Sequence, residues 1–145
     1  MYETILIPID GSDEAFEAAK HAVDLAKEHG ATLHVLYVVK SKAVYTSAGL
    51  SGLEDSSVTE SHKKFAEEKV ADVADYAAEH GVDCVTAVKT GTPHTKIVEY
   101  AEKIDADTIV MGAHGYDWDG LTEKILGSTT ERVNRNASMP VITVR

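Results

Sequence analysis

Residues 3 to 39 read ETILIPIDGSDEAFEAAKHAVDLAKEHGATLHVLYVV, and the fold follows from how that run divides. The first seven residues, ETILIPI, are short, apolar and rich in β-branched side chains, and they stop at Asp10-Gly11-Ser12. That is the pattern of a buried strand ending in a turn. The next stretch changes period. Ala15, Ala18, Ala19, Ala22, Val23 and Ala26 fall on one face of a helix. Ser12 is placed to cap its start, Asp13 and Glu14 suit its positive end, and Gly30 stops it. TLHVLYVV (32–39) is a second strand. Strand, helix and strand in this order make one β-α-β unit, which needs a parallel pair of strands.

Outward from that unit the alternation continues. Residues 40 to 58 have no period and are rich in Ser, Gly and Thr, so they read as a long connection, usually functional or mobile. A helix follows over roughly 59 to 80, ended by Gly81. VDCVTAVKTG is a third strand. Thr92-Pro93 marks a helix start, with Thr as cap and Pro in the first turn; that helix runs over about 93 to 103. DTIVMG is a fourth strand. Ser128 opens a last helix, TTERVNRNA, and PVITVR is a fifth strand. Near-continuous apolar strands alternating with amphipathic helices give an α/β fold: a parallel sheet covered on both faces. AKEHGATLHVL and AAEHGVDCVTAV are two turns of the same unit and not a repeat array.

The chain has 145 residues, 43% of them hydrophobic, which suits one domain over 1–145 with a single core. A formal charge of −10 disfavours nucleic acid and anionic lipid as partners. No apolar run reaches the roughly 18 residues of a membrane span, so no membrane insertion is expected. The acidic N-terminus lacks a signal-like pattern, and a cytoplasmic location is expected. The lone Cys84 sits in an apolar run, VDCVTAV, and reads as a packed structural thiol.

The candidate chemistry lies in GAHGYDWDGLTEKILGSTT (112–130). In doubly wound sheets, ligands bind beyond the carboxyl ends of the strands, where the strand order reverses. Pro8-Ile9-Asp10, Val35 to Val38, Met111 to Gly115 and Gly127-Ser128-Thr129 converge there. Glycines let the backbone approach a ligand, and a helix start offers N–H donors and a positive dipole end to an anion. Each hydrogen bond to a charged group contributes about 1.5–3 kcal/mol. Asp10 could accept from a ribose hydroxyl or an adenine amino group. A second reading of the same residues needs no ligand. Ser128-x-x-Glu131 is a capping-box pattern, and Gly112 and Gly115 are turn residues.

The set LIPIDGSDEA, LHVLYVV, TGTPHTKIVEYAEKIDADTIVMGAHG, GSTTERV and MPVITVR resembles the universal stress protein family. The likeness runs from residue 2 to 145, with only 41–60 unassigned. It implies a single-domain Rossmann-like sandwich whose five-stranded parallel sheet has the order 3-2-1-4-5, with helices on both faces. It also implies a homodimer through the C-terminal strand. One branch of the family binds ATP or related adenine nucleotides through Gly, two residues, Gly, nine residues, Gly, then Ser or Thr. Gly112, Gly115, Gly127 and Ser128 look like that pattern, with eleven residues in place of nine; the extra two fall in YDWDG.

By this resemblance Asp10 lies at the adenosine and Val35 offers backbone to the adenine. Gly112 and Gly115 line ribose and phosphate. Gly127, Ser128 and Thr129 hold the phosphates, with Pro8 and Met111 as apolar walls. ATP, ADP or AMP with Mg²⁺ or Mn²⁺ is the implied ligand. His114 is a candidate phosphate contact, and Trp118 reads as a cover for the nucleotide, a contact with the partner subunit or an aromatic of a surface loop. His34 reads as a core histidine, and His29 and His80 as helix-end partners. There is no G-x-x-x-x-G-K-[ST] loop, and the sequence aims none of Arg132, Arg135 and Arg145 at a phosphate. A nucleotide-dependent regulator with at most slow ATP hydrolysis is therefore expected, the alternative being a dimeric interaction module that binds no nucleotide.

Overall fold

The computed structural model describes residues 2–40, 56–114 and 127–145, with the side chains of 56–59 excepted. The elements run β1 (Thr4–Ile9), α1 (Asp13–His29), β2 (Thr32–Lys40), α2 (Ser56–Glu79), β3 (Cys84–Gly91), α3 (Pro93–Lys103), β4 (Thr108–Gly112), α4 (Ser128–Asn136) and β5 (Val141–Val144). The strands pair in parallel as β3-β2-β1-β4-β5. This is the expected α/β architecture and strand order. No helix among the described residues is long and apolar enough to cross a membrane.

Strand alternation divides the core into two layers. Ile5, Ile7, Ile9, Leu33, Val35 and Val110 face one way, against α1 and α2. Leu6, Leu36, Val38, Ile109 and Met111 face the other way, where Ile97 and Ala101 of α3 and Val133 of α4 close over them. Five of the six residues assigned to the inner face of α1 are alanines, and all six are buried. Small side chains let the helix lie close on the sheet, and each aliphatic side chain buried in these layers is worth up to about 1.5–3 kcal/mol.

The ends of α1 are those the sequence implies. The Ser12 hydroxyl accepts from Ala15 N–H at 3.1 Å, and Gly30 takes a left-handed φ of 65°. Two other helix starts differ. Thr92 occupies the N-cap of α3, but its side chain makes no capping hydrogen bond, and Pro93 supplies the preset φ instead. In α4 the N-cap is Gly127, so Ser128 is already the first helical residue. The capping-box reading of Ser128 and Glu131 is therefore corrected. The box needs its hydroxyl one position earlier, and the Glu131 carboxylate turns to Arg135 one turn on.

Candidate nucleotide site

β1 pairs with β2 as far as Ile9↔Tyr37, but with β4 only at Ile5↔Thr108 and Leu6↔Ile109. Beyond Leu6 the ladder between β1 and β4 stops. The strand order also reverses between these two strands, so the interruption lies at the switch point, where α/β sheets take ligands. Pro8 sits on this stretch of β1 and is buried. A proline in a central strand costs a ladder hydrogen bond, and it is tolerated here where one of the two flanking ladders has ended.

On the β1 side, Asp10 Oδ1 accepts from Ser12 N–H at 2.9 Å, and the Asp10 carbonyl accepts from the Tyr37 hydroxyl at 3.1 Å. The carboxylate is thus oriented by its own turn, and the turn is held to β2 by a tyrosine the sequence did not single out. Gly11 has a φ of +86°, and a Cβ there would lie 2.5 Å from Phe65 of α2. This glycine serves the turn and the packing beneath α2.

On the β4 side, residues 112–114 are held from three directions. Ala113 N–H donates to the Val144 carbonyl at 2.8 Å. From α4, the Thr130 hydroxyl donates to the Gly112 carbonyl at 2.8 Å, and Gly127 N–H donates to the Ala113 carbonyl at 2.7 Å. From α1, Glu14 Oε1 lies 3.1 Å from both the backbone nitrogen and ring Nδ1 of His114. An ionised carboxylate only accepts, so Nδ1 carries the hydrogen in this pair. His114 is 7% exposed.

Gly112 differs from Gly11. The nearest described atoms to a Cβ built on it are the carbonyl oxygens of Glu14 and His114, both at 3.5 Å, which is ordinary contact. Neither φ nor packing among the described residues requires a glycine there. Gly127, the N-cap of α4, has no side chain with which to cap the helix. The first N–H groups of a helix have no intrahelical acceptor, and those of Ser128 and Thr129 open next to Gly112.

Asp10 thus follows the end of β1, and Gly112 lies at the end of the neighbouring β4, where hydrogen bonds tie residues 112–113 to Gly127 and Thr130 at the start of α4. Met111 is buried in the layer beneath α3 and α4. The placement of Val35 is corrected. It is not at the end of β2 but in its middle, fully buried, paired with Ile7 on one side and Thr86 on the other, and β2 continues to Lys40. The apolar run makes the strand visible in sequence, but it does not say where along the strand the sheet opens. Gly115 and Trp118 lie outside the described residues, as does 41–55 of the long connection.

His34 Nδ1 lies 3.0 Å from the Tyr100 hydroxyl of α3. Burial lowers the His34 pKa and raises that of Tyr100. His34 is a half-buried histidine whose backbone pairs with Leu6 of β1 and whose ring bonds to α3. Burial pushes the Cys84 thiol up to about 11, which fits a packed thiol and not a reactive one. His80 Nδ1 meets the Tyr76 carbonyl in the last turn of α2 at 2.8 Å. A hollow of about 660 Å³ also lies between α1 and α2, floored by Phe16 and Tyr76 and edged by Lys69, Asp72 and Asp75. Ile9, Gly11, Ser12 and Asp13 of the first turn line its rim, but none of the described residues of 112–130 does. Sequence reasoning missed Glu14 and Thr130: the first carried only the signal of a helix-start acid, and the second only its place in Gly-Ser-Thr-Thr.

The model of the universal stress protein family matches residues 1–145. Universal stress protein MJ0531 of Methanocaldococcus jannaschii is 41% identical over 145 residues, covering 100% of this chain and 83% of that protein. The chain belongs to the universal stress protein family. Universal stress protein UspA from Lactobacillus plantarum superposes with a TM-score of 0.86 at 32% identity, over 99% of this chain and 98% of that one. The fold is also shared with a universal stress protein solved in complex with cAMP, at 22% identity and TM-score 0.76 over 99% of this chain and 96% of that one. A universal stress protein from Archaeoglobus fulgidus in complex with dAMP has 20% identity and TM-score 0.69 over 99% and 98%. At those identities the likeness is one of fold.

Proposed function

We propose that this chain is a nucleotide-dependent regulator that binds ATP, ADP or AMP, with Mg²⁺ or Mn²⁺ on the phosphates, at the interruption between β1 and β4. The observation that carries the reading is the α4 start. A helix whose N-cap is a glycine, Gly127, starts beside the end of β4, where Gly112 is a glycine that packing among the described residues does not require. Ser128 and Thr129 N–H groups and the helix dipole suit phosphate oxygens. Gly112 and Gly115 admit the ribose and phosphates closely, and Asp10 accepts from the nucleoside. Pro8 and Met111 supply apolar walls. Two proteins of this fold carry cAMP and dAMP, which supports an adenine nucleotide as the ligand class.

Hydrolysis at an ordinary enzymatic rate is not expected, because no arginine or lysine among the described site residues is aimed at a transferring phosphoryl. The metal would be held chiefly by the nucleotide: among the described residues, no three His, Cys, Asp or Glu side chains gather to hold one. The working form is a cytoplasmic homodimer joined through β5. This strand is an edge of the sheet and leaves Ile142 36% exposed.

Calorimetric titration of nucleotide-stripped protein with MgATP tests the reading, alongside Gly127→Val. Gly127 has a φ of −58°, which valine adopts without backbone strain, and a lost affinity reports the phosphate contact when the variant's melting temperature is unchanged. Micromolar binding to wild type, lost in the variant, is expected. No heat from either protein would assign the chain to ligand-free interaction, and turnover above about 1 s⁻¹ would make it an enzyme.

A further inference from the structure

Glu14 does more than an acid in the first turn of a helix must. Its Oε1 lies 3.1 Å from two atoms of one residue, the backbone nitrogen and ring Nδ1 of His114, a hundred positions along the chain. Its own carbonyl oxygen lies 3.5 Å from where a Gly112 Cβ would be. A solvent-facing dipole partner needs neither contact. The carboxylate sits at the start of α1 and is bonded to a histidine whose side chain is 6% exposed. Two hydrogen bonds to one carboxylate oxygen fix both the backbone and the ring of His114, where a single bond would leave the ring free to turn.

The two ends of this pair belong to different halves of the proposed site. Glu14, in the first turn of α1, is four residues after Asp10, whose own turn would meet the nucleoside. His114 is two residues after Gly112, on the segment that leads into the phosphate loop. We propose that the Glu14–His114 pair is a latch that joins the two halves into one preorganised cradle, Glu14 and His114 acting as positioning residues that need not touch the ligand. The inference rests on the nucleotide reading above and names what holds that site in its binding geometry. Without the latch, the Ala113–His114 segment keeps its ties to β5 and α4 but loses its tie to α1. The binding geometry must then be assembled at the cost of ligand affinity.

The test compares Glu14→Ala, Glu14→Gln and wild type in MgATP titrations, with hydrogen exchange at the His114 amide measured without nucleotide. Val23→Ala, in the core of α1 away from the loop, serves as a control for destabilisation. Glu14→Ala is expected to bind MgATP about tenfold more weakly and to exchange the His114 amide at least tenfold faster. Glu14→Gln, which keeps a carbonyl oxygen to accept both hydrogens, is expected to recover most of both. Val23→Ala is expected to lower the melting temperature with affinity unchanged. Wild-type binding with Glu14→Ala equally tight would overturn the latch and leave the nucleotide reading standing. Affinity losses that follow melting temperature across all three variants would overturn it too. No wild-type heat would overturn the nucleotide reading, and the latch's role with it.

Discussion

Gly127 donates its backbone N–H to the carbonyl of Ala113 at 2.7 Å, joining the start of α4 to the segment just past β4. The thirteen residues between them, 114 to 126, thus leave and return through one hydrogen-bonded neck. The neck lies in the described core of the fold, so its geometry is set by β4, β5 and α4 and not by the length of what it encloses. A spacing of eleven residues between Gly115 and Gly127, where the family pattern has nine, is compatible with that arrangement. Removing Trp118 and Asp119 is expected to change loop-closure entropy by only about 0.1–0.2 kcal/mol. The melting temperature should then move by less than about 1 °C by calorimetry; a drop of several degrees would show that the loop packs on the core.

Gly11→Ala and Gly112→Ala should part company. At Gly11 the new Cβ meets Phe65 at 2.5 Å, and φ is +86°. A loss of about 1–3 kcal/mol is expected, from strain and displaced packing. At Gly112 the nearest atoms are at 3.5 Å, so stability should stay within about 0.5 kcal/mol while MgATP affinity falls at least tenfold. Chemical denaturation and titration of the two variants side by side check both halves.

Thr130 is 4% exposed, and Thr130→Val removes the hydroxyl that donates to the Gly112 carbonyl. Valine keeps the shape and strands that carbonyl, at a cost of about 1–3 kcal/mol. Serine at the same position should restore most of the loss, as read by urea unfolding.

Asp107 accepts from Glu3 N–H at 2.7 Å and Thr4 N–H at 2.9 Å, tying the start of β4 to the start of β1. The Glu3 bond first, then the Thr4 bond, lowers its pKa from the ordinary 3.8. A depressed carboxylate adds stability above its unfolded value, and that stability is lost as pH falls through the folded one. Asp107→Asn should therefore be slightly less stable than wild type near neutrality, by less than about 1 kcal/mol because the group is open to solvent. The gap should close below about pH 4, which a pH series of thermal melts would show.

His34 has a depressed pKa caused by burial, so its neutral form favours the fold. The stability it carries is present above 6.5 and is lost as pH falls through the lower folded value. In His34→Gln the decline between pH 7 and 5 should be shallower than in wild type, and equal slopes in urea-unfolding series would contradict the assignment.

Much of this protein was legible in the chain. The period of Ala15 to Ala26, the stop at Gly30, the start at Pro93 and the apolar runs from Ile5 to Val144 are local signals. Each depends on spacing of 2 or 3.6 residues, on a cap or on a φ preference, and these need no knowledge of the rest of the molecule. Strand order came through resemblance, since a parallel sheet pairs segments too far apart for local patterns to rank. Tertiary structure alone decided the α4 cap. Whether Gly127 or Ser128 stands at the N-cap depends on the hydrogen bonds from Gly127 to Ala113 and from Thr130 to Gly112. It alone placed Val35 in mid-strand, because an apolar run does not mark where its neighbour diverges. It alone brought Glu14 to His114, a contact between residues a hundred positions apart that arises only when α1 packs beside the end of β4.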